Sequence, residues 1–250
     1  MKFARYILLA ALATTASVAN AAVIRVADDA FTADAGLITF SEFAMGTVNP
    51  VYTPADYGAD PTGVTVTFGG WFDGQSLGGA GDCPAGARLT GCVIGTPDAG
   101  LSLDPSASQS FITADGANPT SPVLSGTPRF NGAISMIFSE DIAGVGLDGG
   151  YFNAIGGTAI TAFARDGSII GTVANEGLGI EFLGLVSDLG NEIAGLQFSL
   201  VGAEPAGFAI DNLRFGFADQ VVADVPESSS LALLGLGLLG LGFSRRRIRK

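Results

Sequence analysis

The sequence predicts an all-β body, an antiparallel β-sandwich of about 200 residues. Three observations carry this. Apolar residues alternate with polar ones over short runs, the period of a half-buried strand. The runs recur every 10–15 residues with Gly and Asp turns between them, as in a sandwich of short strands. Glycine is abundant, at 37 of 250 residues, and long helical patterns are missing from the body.

The elements follow in order. Leu37–Phe43 (LITFSEF) is the first candidate strand. Val64, Val66 and Phe68 alternate with Thr65 and Thr67 to give a clean second one. Gly69–Gly100 is rich in glycine and contains a cysteine loop, and Asp104–Pro128 is Ser/Pro/Asn-rich and expected to be irregular. Ile134, Met136 and Phe138 share a face opposite Ser135. Ala159–Ala174 reads as two strands around Asp166-Gly167, a pair suited to a type I′ hairpin turn. Ile180–Val186 is apolar on both faces. Ile193–Val201 places Leu196, Phe198 and Leu200 inward and Gln197 and Ser199 outward; Gly207–Phe217 closes the body.

Both ends carry sorting signals. Lys2 and Arg5, the apolar run Tyr6–Ala13 and Ala19-Asn20-Ala21 form a signal peptide over 1–21, so the mature chain is expected to start at Ala22. At the other end, Pro226 and Glu227 lead into the apolar run Leu231–Phe243, then Arg245, Arg246, Arg247, Arg249 and Lys250. As a helix that run spans about 20 Å, short of a bilayer core of about 30 Å. It has no polar face to pack on a soluble domain, and the basic end suits a cytoplasmic anchor with snorkelling side chains.

This tail, residues 224–250 with a transmembrane helix at about 231–243, resembles a PEP-CTERM sorting signal of exported proteins from Gram-negative bacteria that make extracellular polysaccharide. Pro226 and Glu227 match the first two motif positions, and Ser228 stands where a second proline is expected. The resemblance implies an exosortase-type processing partner, transient or permanent attachment to the inner membrane, and delivery to the cell surface or an exopolysaccharide matrix such as a biofilm.

Without its ends the body (22–223) is strongly acidic. Ala22 to Asp224 holds 5 cations against 23 acids, a net of −18, with no lysine. Such a surface repels phosphates, which excludes nucleic-acid partners, and attracts divalent cations. Cys83 and Cys92 flank CPAGARLTGC; in an oxidising compartment the pair is expected to form a disulfide. The chain has no histidine, which excludes Ser-His-Asp and Cys-His catalysis. Gly144, Gly146 and Gly149 match GxGxxG, but the GYFNAIGGTAI that follows lacks the helix of a dinucleotide site.

The stretch Thr158–Gly216, with TAFARDGSIIGTV, IEFLGLVS, IAGLQFSL and GFAIDNLRFG, resembles the last strands of lectin-like or carbohydrate-binding jelly-roll domains. Within it Phe208 and Ile210 share a face while Leu213, Phe215 and Phe217 have the opposite parity, so the phase flips at Asp211-Asn212, the mark of a β-bulge. A similar switch crosses Ser41-Glu42. First and last strands of sandwiches commonly lie side by side, which makes Glu42 and Asp211 candidate calcium ligands together with backbone carbonyls; the other reading is two solvated carboxylates at bulges. Trp71 and Tyr151 are candidate sugar-stacking aromatics, and the loop-like Tyr52, Tyr57 and Phe72 belong to the same set unless they pack in the core. The expected function is that of a non-enzymatic, surface- or matrix-associated carbohydrate-binding protein. The alternatives are a glycan hydrolase using two carboxylates among Glu42, Glu140, Glu176, Glu181, Glu192 and Glu204, none of which the sequence pairs, and a plain membrane-anchored structural domain.

Overall fold

The computed structural model describes residues 23–59, 63–117 and 121–222. The expected signal peptide and the sorting tail, with its helix at 231–243, lie outside these. In chain order the strands are β1 (Val23–Val26), β2 (Gly36–Ile38), β3 (Val51–Tyr52), β4 (Val66–Gly69), β5 (Ser76–Leu77), β6 (Val93–Ile94), β7 (Ser110–Ala114), β8 (Pro122–Gly126), β9 (Ile134–Ile142), β10 (Gly144–Phe152), β11 (Thr158–Phe163), β12 (Ile169–Ala174), β13 (Gly179–Ser187), β14 (Ile193–Leu200) and β15 (Ala209–Gly216).

They form two large antiparallel sheets. The first runs β1-β13-β10-β15-β8-β7, with β2 also paired to β15; the second runs β12-β11-β14-β9-β4-β3. The inward residues of both sheets make one core. Leu124, Val145, Leu147, Leu183, Leu213 and Phe215 of the first sheet meet Val66, Phe68, Met136, Phe138, Leu196 and Phe198 of the second. The expected all-β sandwich of antiparallel sheets is therefore present. At Ala143 the chain passes from one sheet to the other with a single residue between β9 and β10. Among the described residues no helix is long and apolar enough to cross a membrane.

Four local expectations are corrected. The first strand is β1, not Leu37–Phe43; there only Gly36–Ile38 is extended, because Phe40 takes a positive φ of 56° and turns the chain. Asp104–Pro128 is not irregular: β7 and β8 pair over Ser110↔Gly126 to Ala114↔Pro122 and form the edge of the first sheet. The Asp166-Gly167 turn is not type I′. Only Gly167 has positive φ, Gly167 N–H donates to the Ala164 carbonyl, and Ala164 N–H donates to the Ser168 carbonyl, the pattern of a type I turn with a glycine bulge.

The fourth correction concerns Ser135, Gln197 and Ser199, which face outward from the second sheet yet are buried. A second layer covers them. The chain between β4 and β7 folds back over this face, placing Phe72, Leu101 and Leu103 on Phe163, Ala194 and Ile137. Beneath it Gln197 Nε2 donates to Gln75 Oε1 at 2.8 Å and to Ser135 Oγ at 2.9 Å, and Ser135 Oγ donates to the Gly70 carbonyl at 3.0 Å. Gln75, Gln197 and Ser135 are thus paired, which the low-dielectric interior requires. The covering segment carries the small β5–β6 ladder and the Cys83–Cys92 disulfide, with a Cα–Cα distance of 6.1 Å.

The three glycines of the GxGxxG match lie in β10, between β13 and β15. Gly146 is there for packing: a Cβ would stand 2.4 Å from Phe182.

Candidate functional site

The phase flip read at Asp211-Asn212 is a bulge in the structure. The β10–β15 register shifts between Gly146↔Arg214 and Asp148↔Asp211, and Asn212 has φ of 46°. The bulge sits where the outer edge of β15 changes partner. Leu213–Phe215 pair with β2, while Ile210 pairs with β8. First-strand and last-strand regions thus lie side by side, through β2 rather than β1. Between the end of β2 and the start of β8 the chain leaves a junction, and Asp211, only 2% exposed, stands at it.

Oxygen atoms converge there. Ser121 Oγ lies 3.0 Å from the Thr39 carbonyl, 3.2 Å from the Pro122 carbonyl, 3.5 Å from Asp211 Oδ1 and 3.5 Å from Ser41 Oγ. Asn212 N–H donates to Asp211 Oδ1 at 2.8 Å, and Asn212 Nδ2 donates to Asp148 Oδ2 at 2.8 Å. Glu42 approaches the same segment from Thr39: its Oε1 accepts from Thr39 N–H and from the Thr39 hydroxyl, both at 2.9 Å. Its Oε2 is buried without a hydrogen-bond partner among the described residues, as is the hydroxyl of fully buried Tyr52. Burial, and after it the Glu42 charge, pushes the Tyr52 pKa well above the usual tyrosine range. The two sequence-predicted residues are therefore linked through Thr39 and Ser121. Sequence reading missed Thr39, Ser121 and Pro122, which contribute a carbonyl or a hydroxyl and carry no side-chain signature. Among the described residues, no three His, Cys, Asp or Glu side chains gather as metal ligands, so any ion here would depend on carbonyls and hydroxyls.

The two predicted stacking aromatics occupy different elements with separate neighbours. Trp71 belongs to the covering segment, is partly buried, and donates its indole N–H to Asp104 Oδ2 at 3.2 Å. The Asp104 carboxyl is held below its usual range, first by the Ser106 hydroxyl, then by Ser106 N–H, with Trp71 adding to them. Tyr151 near the end of β10 is 52% exposed, and its ring edge lies beside Gly179. Tyr52 and Phe72, from the same sequence set, are fully buried. Tyr57 is partly buried; burial pushes it up to about 12, and its hydroxyl donates to the Val64 carbonyl.

Three of the glutamates weighed for catalysis, Glu181, Glu192 and Glu204, have other neighbours. Fully buried Glu204 accepts from Asn153 N–H and Ala154 N–H. Glu181 pairs with Arg25 and accepts from Glu176 N–H and Gly177 N–H. Glu192 accepts from the Ser187 hydroxyl. Each holds a loop or strand end together.

The body has two distinct poles. At one, β1 begins with Val23 opposite Ser187, and the chain leaves through Val221, bridged to Phe31 and packed beside Gly144 and Val186. Tyr151 lies seven residues along β10 from Gly144, about 23 Å away at the usual strand rise. The loops 153–157 and 201–208 share the Tyr151 pole, tied by Glu204 and by Asn153 Nδ2 to the Ala206 carbonyl at 2.7 Å.

Fold and tail together define an all-β protein ending in a C-terminal sorting segment. That segment is specific: residues 224–247 match the PEP-CTERM protein-sorting motif. The chain carries the signal of an exported protein that is sorted by an exosortase. No curated protein matches the chain.

Proposed function

We propose that this is a non-enzymatic glycan-contacting protein of the cell surface or polysaccharide matrix, held at the inner membrane by its tail until an exosortase-type enzyme processes it. The observation that carries the reading is the polarity of the body. The sorting segment follows from one pole, and the exposed ring of Tyr151 stands at the other, beside Gly179. An exposed aromatic face suits the apolar face of a sugar ring. The structural employment of Glu181, Glu192 and Glu204 supports a binding role over a hydrolytic one.

The test is binding of the exported protein to a glycan array and to purified extracellular polysaccharide, alongside Tyr151→Ala and Trp71→Ala. Tyr151→Ala is expected to remove binding at unchanged stability, and undiminished binding would sink the assignment. Release of reducing ends from a polysaccharide panel would overturn the non-enzymatic part. For sorting, the intact mass of the mature protein from cells and medium decides. Loss of the residues after Val225 is expected, whereas retention of Lys250 would make the tail a plain anchor.

A further inference from the structure

Oxygen atoms from three segments converge at the junction between β2, β8 and β15. The Thr39 carbonyl, the Pro122 carbonyl and Asp211 Oδ1 all lie within 3.0–3.5 Å of the Ser121 hydroxyl oxygen, and Asp211 Oδ1 also accepts from Asn212 N–H at 2.8 Å. These spacings are those of neighbours in a calcium shell. With Ca–O at about 2.4 Å, adjacent ligands of a six-coordinate ion stand about 3.4 Å apart. An independent observation comes from the far side of Thr39. There Glu42 keeps one oxygen buried with no donor among the described residues, near a Tyr52 hydroxyl in the same state. A buried carboxylate oxygen without a donor is costly unless a cation or water meets it.

The geometry points to one calcium site at this junction, with the Asp211 carboxylate, the Thr39 and Pro122 carbonyls and the Ser121 hydroxyl as ligands and Glu42 as the second charge. All are hard oxygen donors, which suits calcium or magnesium and not a thiolate- or imidazole-seeking metal. Carbonyls from loosely regular loop ends favour calcium, since magnesium demands near-octahedral geometry and retains its waters. The ion would tie the end of β2, the entry to β8 and the bulge of β15, three segments remote in sequence. It would thereby fix the edge of the first sheet. The site stands apart from the glycan reading, and either can fail alone.

The experiment strips the exported protein with chelator and titrates it with calcium chloride alone, by calorimetry and by thermal melting. One site per chain is expected, with Tm rising by about 5–10 °C at roughly a hundredfold excess over Kd. Asp211→Asn is expected to abolish both signals. Ser121→Ala leaves every charge in place and serves as the variant expected to fold; it should weaken binding about tenfold. Absence of heat together with an unchanged Tm at millimolar calcium overturns the site. So does binding that both variants leave unaltered. A set of several weak equivalent sites also overturns it, because the acidic surface alone would produce that pattern.

Discussion

The outer faces of the two sheets are built differently. That of the second sheet is covered by the β4–β7 segment, which buries Phe72 and Leu101 on Phe163 and Ala194 and encloses a paired Gln75–Gln197–Ser135 network. Among the described residues, that of the first sheet carries a small apolar cluster of Ala30, Phe31, Val186 and Val221, with Phe182 partly exposed. Beyond it lie Asp148 and the Asp211 junction. A third layer frees one sheet from choosing between solvent and core on its outer side. The other sheet leaves Asp148 half-buried on its outer side, paired in register with buried Asp211.

The largest effect should come from removing the anchor of the covering layer. Phe72→Ala deletes a fully buried ring in edge-to-face contact with Phe163, 5.2 Å between centroids, and is expected to cost about 3–5 kcal/mol in urea unfolding. A loss below about 1 kcal/mol would show that the layer is not part of the cooperative unit. Replacing Cys83 and Cys92 together by Ser opens a loop with a sequence separation of 9 and should cost about 2–3 kcal/mol. Melting with and without reductant checks this: a reductant-insensitive wild type would contradict it. Gln197→Ala leaves Ser135 and Gln75 short of a buried partner, at about 1–3 kcal/mol. On the opposite sheet, partly exposed Phe182→Ala should cost only about 1–2 kcal/mol. Equal losses for Phe182→Ala and Phe72→Ala would erase the contrast. The smallest effect is electrostatic. Hydrogen bonds from Ser106 and Trp71 lower the Asp104 pKa, so their stabilisation is present above the unfolded carboxyl range and is lost as pH falls below about 4. Asp104→Asn should flatten that acid limb of the stability curve, and an unchanged limb would count against it.

Much of the second half was legible in the chain. Alternation at Leu196–Leu200, and Ile134, Met136 and Phe138 opposite Ser135, mark inward residues because the side-chain period of a strand is two. The Asp211-Asn212 bulge was also readable, since a bulge must reverse that parity. The covering layer was not. Parity says which way Gln197 points, but its partner Gln75 is 122 residues away, and outward apolar Ile137 and Phe163 do not name the segment that covers them. β7 and β8 were hidden for another reason. SFITA and PVLSG are short and Ser/Pro-bearing, and they gain their place from pairing with each other. At the candidate site the carboxylates Glu42 and Asp211 were visible as residues. The Thr39 and Pro122 carbonyls were not, because a backbone oxygen becomes a ligand only through the path of the chain.

The placement of β15 bears on how the body would carry tension. It is held on one edge by β10 and on the other by β2 and β8, and the chain continues from its end through Val221 towards the sorting tail. With the C-terminal end held fixed, drag on the Tyr151 pole is expected to pull β15 along its own axis. Its ladders would then be sheared together and not peeled one bond at a time. The short Phe31–Val221 bridge is the part loaded as a zipper. Force spectroscopy between the tail and the far pole should show a small early release followed by one high rupture, and a single low-force event would contradict this.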